Sequence, residues 1–209
     1  MMIESSGIQI SKSEIRVRNE ASPSRERILT AGAEMLASRG LGDVNTNTIA
    51  RAAGVGVGTF YAHFDDKFAL HRELATRGLA LLQDALSLAS RETRHQSIDQ
   101  QVRASVAAFV NFAHAHPALY RVAFSADETL PRGGRPGVGF SARALENRLA
   151  ELQRGGLLEA SVDTRLAARI FNAGQSQVVL WWLEAPDPSP TAQLIETLVQ
   201  LHPAVACRR

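Results

Sequence analysis

Hydrophobic residues recur every three or four positions along most of the chain, which is the spacing that places them on one face of an α-helix. No segment shows the strict alternation of apolar and polar residues that is typical of a half-buried strand, and no internal repeat is found. The pattern therefore predicts an all-α protein. The predicted helices cover residues 25–40, 46–53, 56–64, 67–90, 98–115, 117–124, 140–154, 163–184 and a last segment that ends near 202.

The most informative segment is residues 44–67, in which two short helices are predicted to meet at a tight turn. Asn45 occupies the N-cap position of the first helix, and Gly54 follows its end, where the chain can become left-handed. In the second helix Phe60 and Phe64 are four residues apart and face the first helix, which leaves other positions free to face outward. Two helices joined in this way form a helix-turn-helix, which places one helix across the DNA backbone and the other in the major groove.

The sequence GTFYAHF at residues 58–64, followed by Lys67, resembles the signature of the TetR family of one-component transcriptional regulators. The helix predicted at 25–40 is similar to the first helix of that family, which packs behind the other two. The resemblance by motif covers about residues 24–72, and beyond them only the architecture can be compared. It implies an all-α fold with an N-terminal three-helix helix-turn-helix DNA-binding domain and a C-terminal helical domain for ligand binding and dimerisation.

The resemblance also implies how the first domain contacts DNA. Phosphate contacts are expected from Thr46, Tyr61, His63 and Lys67, base contacts from Asn47, Val57 and Thr59, and further contacts at Asn45 and Gly56. Two positions depart from the family's pattern. Gly56 replaces the usual capping serine, and Val57 stands where many relatives carry a polar residue. A branched apolar side chain there suits the methyl group of thymine.

The chain is expected to have four parts. Residues 1–22 form a flexible arm, residues 23–67 the helix-turn-helix DNA-binding domain, residues 68–203 the effector-binding and dimerisation domain, and residues 204–209 a C-terminal tail. Two interpretations of the arm stay open. It is either a tail without a role, or its two arginines reach into the minor groove beside the recognition helix.

Charge and composition narrow the expectations further. The formal net charge is +2, and residues 24–72 carry six basic against five acidic side chains, so DNA binding must depend on individually placed contacts. Cys207 is the single cysteine and has no second cysteine for a disulfide or a metal site. The N-terminus does not resemble a signal peptide, and the longest apolar run, Val178–Leu183, is too short to span a membrane. We therefore expect a cytoplasmic protein.

The last two long helices predict the oligomeric state. Both are apolar on more than one face, so one face should pack within the domain and the other against a second subunit. The alternative is a fully intramolecular core. The residues predicted to form a homodimer are Ile170, Gly174, Val178, Trp182, Leu194, Leu198 and Leu201.

The central helices are expected to enclose an effector pocket. Its predicted lining combines an apolar wall with a few orienting polar groups, although each residue also suits an ordinary core. The predicted lining residues are Leu82, Leu86, Phe109, Phe112, His116, Tyr120, Phe124, Phe140, Gln177 and Trp181.

Together these features predict a repressor that binds a palindromic double-stranded DNA operator as a homodimer and is released by a small, apolar or aromatic effector. The alternatives are an architectural DNA-binding protein without an effector and an activator of the same family. His114 and His116 are the cluster that most resembles an enzyme site, but residues two apart on a helix point to different faces. No enzymatic activity, cofactor or metal is therefore expected.

Overall fold

The structure is a computed structural model that describes residues 22–125, 137, 140 and 142–208. Its named elements are all helices, which confirms the predicted all-α fold class. The helices are α1 (Pro23–Arg39), α2 (Thr46–Ala52), α3 (Val57–His63), α4 (Lys67–Thr93), α5 (Ile98–Ala115), α6 (Pro117–Phe124), α7 (Ala142–Arg154), α8 (Thr164–Glu184), α9 (Thr191–Gln200) and α10 (Pro203–Ala206).

Side-chain caps determine where several of these helices begin. Asn45 Oδ1 accepts a hydrogen bond from the backbone N–H of Thr48 at 2.9 Å, and Thr48 Oγ1 accepts one from the backbone N–H of Asn45 at 3.3 Å. Ser97 and Gln100 form the same reciprocal box at the start of α5. Asp163 caps α8, its Oδ1 accepting a hydrogen bond from the backbone N–H of Leu166 at 2.9 Å. Helix starts were therefore readable from short polar motifs.

The last predicted helix is divided in the structure. α9 ends at Gln200, and a separate short helix, α10, begins at Pro203. The proline has no N–H to continue the ladder of α9, but it suits the first position of a new helix. His202 consequently becomes the N-cap of α10, and its side chain accepts a hydrogen bond from the backbone N–H of Ala204.

The chain divides into two compact units, one up to residue 71 and one from residue 72 onward. The first contains α1, α2, α3 and the first turn of α4, whereas the boundary predicted from sequence follows residue 67. Ile28, Ile49, Phe60 and Leu70 are almost fully buried in its core. Gly32 permits a close approach there, because a Cβ atom at this position would lie 2.6 Å from Leu70 Cδ2.

The second unit has a core of aromatic and aliphatic side chains from α4 to α10. Tyr120 stacks on Phe124 with 4.5 Å between ring centroids, and Phe109 meets Tyr120 edge-on at 5.7 Å. The buried Tyr120 hydroxyl donates to the backbone carbonyl of Ser176 at 3.1 Å. Burial raises the pKa of this hydroxyl well above its ordinary value, which keeps it neutral. The aromatic cluster thus joins α5, α6 and α8.

Some predictions concern parts of the chain that the structure does not describe. The arm before residue 22, most of the loop at 131–139 and Arg209 lie outside the described residues. Among the helices that are described, none is long and apolar enough to cross a membrane. Within the same residues, no group of three or more His, Cys, Asp or Glu side chains is placed to hold a metal ion.

Candidate nucleic-acid interface and effector cavity

The turn between α2 and α3 has the backbone geometry of a helix-turn-helix. Gly54 adopts a φ of +62°, in the left-handed region that side chains other than glycine rarely adopt. The chain then passes through Gly56, the N-cap of α3, with φ −70° and ψ 151°. Because Gly56 has no side chain, it cannot accept a hydrogen bond from the first N–H groups of α3. The capping bond that a serine would make at this position is therefore missing.

The outer face of the turn presents the side chains that suit a DNA contact. Tyr61 is 52% exposed and Val57 is 39% exposed, both on α3. The Tyr61 hydroxyl lies 3.2 Å from Thr46 Oγ1 on α2, and its ring meets the buried Phe60 edge-on. Asn47 is exposed on α2. Three of the predicted contact residues, Asn47, Val57 and Tyr61, are therefore exposed, and Thr46 is half-buried beside Tyr61.

Two other predicted contacts take part in local structure. The Asn45 side chain is the cap of α2, so its oxygen already accepts from Thr48. Thr59 is half-buried on the first turn of α3, with its hydroxyl on the side of Gly56. Asn45 thus positions α2, and Thr59 keeps part of its side chain accessible.

The structure places His63 differently from the predicted outward position. His63 is half-buried, and its Nε2 lies 2.8 Å from Ser24 Oγ at the start of α1. Its Nδ1 is buried without a hydrogen-bond partner among the described residues. Burial, followed by the charge of Arg25, lowers the pKa of His63 below its ordinary value. The imidazole therefore joins α3 to α1 through the hydroxyl of Ser24, and its surroundings disfavour the charged form.

Lys67 also makes hydrogen bonds within the protein that the sequence did not reveal. Its Nζ donates to the backbone carbonyls of Leu41 at 2.6 Å, Val44 at 2.9 Å and Gly42 at 3.4 Å. These carbonyls belong to the segment between α1 and α2. The three N–H groups of the ammonium are thereby used within the protein, so Lys67 fixes the position of α2 at the start of α4.

A basic residue that sequence reasoning passed over lies at the turn itself. Arg27 Nη1 donates to the backbone carbonyl of Gly54 at 3.3 Å, so a guanidinium from α1 lies beside the helix-turn-helix corner. Arg27 is exposed and could also meet a phosphate. The sequence did offer a clue to this contact. α1 was expected to pack behind the other two helices, so a basic residue in its second turn can reach the corner between them.

The second unit contains a cavity of about 550 Å³ between α4, α5, α7 and α8, with α10 at one end. Its lining mixes apolar and polar side chains. The lining residues are Gln83, Leu86, Ser87, Ser90, Arg91, Thr93, Ile98, Gln101, Val102, Ser105, Val106, Phe109, Ala144, Leu145, Arg148, Leu152, Phe171, Asn172, Gln175, His202 and Ala204.

Two of the ten predicted lining residues, Leu86 and Phe109, line this cavity, and the other predicted positions do not. The physical reason differs among them. Some fill the solid core around the cavity, namely Leu82, Phe112, Tyr120 and Phe124, and Phe140 packs against that core. His116 is exposed between α5 and α6, and Gln177 and Trp181 are exposed on α8.

Polar residues of the lining were missed for a consistent reason. Gln175 and His202 are both more than nine-tenths buried, but neither belongs to an apolar stripe, so hydrophobic periodicity passes over them. Burial lowers the pKa of His202 to about 4. A buried polar group beside an apolar one is a usual feature of a small-molecule site. The cavity thus has the size and composition of a ligand site.

One side of α8 carries an exposed apolar stripe. Leu166, Ile170, Val178 and Trp181 recur at helical spacing and are 55%, 64%, 40% and 63% exposed, and Gly174 lies between them. An apolar row of this length is unusual on the surface of a monomer and marks an interaction face.

The buried side of the same helices corrects three predicted dimer residues. Trp182, Leu194 and Leu198 lie in the core of their own unit, and Trp182 Nε1 donates to the backbone carbonyl of Ser189 at 2.7 Å. A one-residue step along a helix turns the side chain by about 100°. The adjacent tryptophans therefore lie on different faces of α8: Trp182 is buried in the core, and Trp181, predicted in the pocket, is exposed. Leu201 is exposed, as a contact residue requires.

A helix-turn-helix followed by a helical unit with a ligand-sized cavity defines a class of protein, the one-component transcriptional regulator. Residues 28–74 match the family model described as bacterial regulatory proteins, tetR family. The chain is also 25% identical over 176 residues to the probable acrEF/envCD operon repressor of Escherichia coli K12, across 80% of each chain. These matches identify residues 28–74 as a DNA-binding segment of the TetR type, and over most of its length the chain is similar to a transcriptional repressor of that kind.

Solved structures share the fold over most of the chain. The fatty acid degradation regulator FadR from Bacillus halodurans superposes with a TM-score of 0.70 at 19% identity, covering 90% of this chain and 98% of that one. FadR from Bacillus subtilis, solved in complex with stearoyl-CoA, gives a TM-score of 0.69 at 17% identity, covering 87% and 98%. At these identities the comparison establishes the fold.

Proposed function

We propose that this protein is a cytoplasmic repressor that binds a palindromic operator as a homodimer and releases it when a small molecule occupies the cavity of the second unit. The cavity of about 550 Å³ carries this proposal. An architectural DNA-binding protein has no use for such a space, and the folded chain keeps it open against the cost of unfilled volume. An activator would share these features, and the direction of regulation is decided by the experiment below.

The DNA contacts that we propose follow from the surface of the first unit. The hydroxyl pair of Thr46 and Tyr61 offers a donor to a phosphate, while Asn47, Val57 and Thr59 are placed to read base edges. Asn45, Gly56, His63 and Lys67 were predicted as contacts, and we now assign them to holding the helices in position. A domain with few placed contacts gains affinity by binding two half-sites about 34–36 Å apart.

The exposed stripe on α8 supports the homodimer. Its residues are apolar, contiguous and on a rigid helix of 21 residues, which is what a two-fold interface between identical helices requires. Ile170, Gly174, Val178 and Trp181 would meet the same residues of a second copy, and Leu201 would extend the contact. Gly174 is open, with nothing within 4 Å of a Cβ atom at that position, so a partner helix can approach closely there.

Continuity of α4 supports the coupling between effector and DNA. The helix begins at Lys67, whose ammonium holds the segment before α2, and its later residues, from Gln83 to Thr93, line the cavity. A ligand that binds more tightly to one position of α4 shifts the population of that position. A difference of about 1–3 kcal/mol in DNA affinity is enough for regulation.

The lining revises the expected effector chemistry. An apolar or aromatic effector was expected, but hydrophobic side chains share this cavity with amides, hydroxyls and two arginines. We therefore propose an amphiphilic effector. The complex of Bacillus subtilis FadR with stearoyl-CoA supports this proposal, since that protein of the same fold holds a ligand with an apolar chain and a polar head.

The experiment combines DNA release with ligand binding. Double-stranded DNA from upstream of the gene is footprinted, and its binding is followed by fluorescence anisotropy. A small-molecule library is screened for compounds that raise the melting temperature, and these are expected to release the DNA. Ser105→Phe, which adds a ring to the cavity lining, should abolish the thermal shift. If no stabilising compound changes DNA binding, the proposal is wrong, and if stabilising compounds strengthen it, the protein is not released by its effector.

A further inference from the structure

The cavity of the second unit contains two polar side chains that are more than nine-tenths buried. Gln175 on α8 is 6% exposed and His202 at the start of α10 is 7% exposed. The other polar residues of the lining are half-buried or exposed. The buried part of the cavity therefore presents an amide and an imidazole beside an apolar wall.

The Gln175 amide forms no hydrogen bond with any residue that the structure describes. Its polar neighbours on α8 are satisfied, because Asn172 Nδ2 donates to the backbone carbonyl of Ala168 at 2.9 Å and Ser176 Oγ donates to that of Asn172 at 2.8 Å. The amide atoms of Gln175 are not among the fully enclosed polar atoms that lack a partner, and the residue lines the cavity. This amide is therefore available to a molecule in the cavity.

His202 offers a donor of fixed identity. Its Nδ1 accepts a hydrogen bond from the backbone N–H of Ala204 at 3.2 Å. Burial keeps the pKa of His202 near 4, so the ring is neutral around pH 7. A neutral imidazole that accepts at Nδ1 carries its proton on Nε2. The ring also meets Phe171 edge-on with 4.5 Å between centroids, which restricts its rotation. The Nε2–H group is thus a positioned donor.

Within the part of the chain that the structure describes, the buried side of the cavity places no charged side chain beside these two groups. Among the described residues of the lining there is no aspartate or glutamate, and the two arginines, Arg91 and Arg148, are both exposed. An ionised group placed beside Gln175 and His202 would lose its hydration without gaining an opposite charge. The buried part therefore favours an uncharged polar group.

We propose that the effector carries an uncharged carbonyl group on an apolar chain, and that its carbonyl oxygen accepts hydrogen bonds from Gln175 Nε2 and His202 Nε2. A carbonyl oxygen has two lone pairs and no proton of its own, so it can use both N–H groups at once. Leu86, Phe109 and Phe171 provide the wall for the apolar chain. This inference rests on the proposed function, because it takes the cavity as the effector site.

The test uses three probes that share a nine-carbon chain and differ in the polar group. Binding of 2-nonanone, 2-nonanol and nonanoate to the full-length protein is measured by isothermal titration calorimetry at pH 7. The ketone is expected to bind about 3–10-fold more tightly than the alcohol, because the O–H group of the alcohol gives up a hydrogen bond to water and the ketone has no such proton to place. The carboxylate should bind more weakly than both. Tighter binding of the carboxylate or the alcohol, or no binding of the ketone, would overturn the inference.

Gln175→Met tests the amide, with Gln193→Met as its matched control on the exposed surface of α9. Methionine keeps the approximate shape of glutamine and removes its hydrogen-bonding groups. The cavity variant should bind 2-nonanone about 3–10-fold more weakly, and the control should bind as the wild type does. Without ligand, the melting temperature of Gln175→Met should be equal to or above that of the wild type. A lower melting temperature would mean that the amide has a structural partner, and the inference would be wrong.

His202→Asn tests the imidazole while keeping an acceptor for the N–H of Ala204. This variant should also weaken ketone binding by about 3–10-fold, and the double variant with Gln175→Met should be weaker by less than the product of the two effects. Non-additivity is expected because both donors share one oxygen. Multiplicative effects would show that the two residues contact separate groups, which contradicts the shared carbonyl.

Failure of this inference is distinguishable from failure of the proposed function. If a library compound releases the operator but the ketone does not outcompete its matched probes, the regulator proposal stands and the carbonyl inference falls. If no compound releases the operator, the regulator proposal falls. Binding of the ketone with the expected dependence on both variants supports the carbonyl inference in either case, and release of DNA by the ketone supports both.

Discussion

The hydroxyl of Tyr61 lies 3.2 Å from the hydroxyl of Thr46, and this contact joins the second helix of the helix-turn-helix to the first. The two residues are fifteen positions apart, and the Tyr61 side chain remains largely exposed. In this pair one hydroxyl donates to the other, so one O–H group is left to donate, and the contact holds it in place for a phosphate oxygen.

Replacing Tyr61 by phenylalanine tests this pair. The ring and its contact with Phe60 are kept, and only the hydroxyl is lost. The affinity for operator and for unrelated DNA should both fall about 5-fold, because a phosphate contact is worth about 1 kcal/mol and carries no sequence information. Fluorescence anisotropy at fixed salt measures both affinities.

Val57→Ala is the matched comparison on the same helix. This change should weaken operator binding at one base pair and leave unrelated DNA unaffected, because Val57 is proposed to read a base edge. Operator binding by Tyr61→Phe that equals the wild type would show that the hydroxyl pair does not bind phosphate.

Lys67 is expected to contribute to stability through its backbone contacts. Lys67→Met removes the donor to the carbonyls of Leu41, Gly42 and Val44 and should lower the free energy of unfolding by about 1–3 kcal/mol. Urea unfolding followed by circular dichroism measures the change. Arg72→Met, which removes an exposed charge from the same helix, should change stability by less than about 0.5 kcal/mol. Equal stability of the two variants would contradict the structural role.

The positions that sequence reasoning placed correctly are those whose physics is local. Asn45 and Asp163 cap helices through bonds to residues three positions ahead, and such bonds are readable from a short motif. The partners of Lys67 and His63 lie 23 to 39 residues upstream. Helical periodicity assigns a residue to a face but not to a distant carbonyl or hydroxyl, so both residues were assigned to DNA.

The effector cavity was harder to predict for a different reason. Aromatic residues such as Tyr120 and Phe124 stack on one another and fill the hydrophobic core, so they do not line the cavity. The open volume lies where smaller and polar side chains such as Ser105 and Gln175 leave room. A search for apolar stripes finds the packed core first. Hydrophobic periodicity also cannot distinguish the adjacent Trp181 and Trp182, because only packing decides which of them is buried.

The neutral His202 makes stability depend on pH. Its pKa is about 4 in the folded protein and 6.5 in its ordinary state, so well above pH 6.5 the ring is neutral in both states and the stability is at its full value. As the pH falls from 6.5 to 4, the unfolded chain takes up a proton that the folded protein excludes. The loss should reach about 2 kcal/mol at pH 5. Urea unfolding at pH 7 and pH 5 measures it.

His202→Asn serves as the control for this pH dependence. Asparagine keeps the cap of α10 and does not titrate in this range, so the difference in stability between pH 7 and pH 5 should be about 2 kcal/mol smaller than in the wild type. An equal loss in both proteins would assign the pH dependence to other groups.

The exposed stripe on α8 predicts the oligomeric state. Ile170→Asp places a carboxylate in the middle of an apolar row, where burial against a second copy would remove it from water without a partner charge. The variant should be monomeric in sedimentation equilibrium at micromolar concentration, whereas the wild type should be a dimer. Leu88→Asp introduces the same charge at an exposed leucine of α4 outside the stripe and should remain dimeric. If both variants dimerise, the stripe is not the interface. If Ile170→Asp is monomeric and still folded, its operator affinity should fall well below that of Leu88→Asp, because each monomer then holds a single half-site.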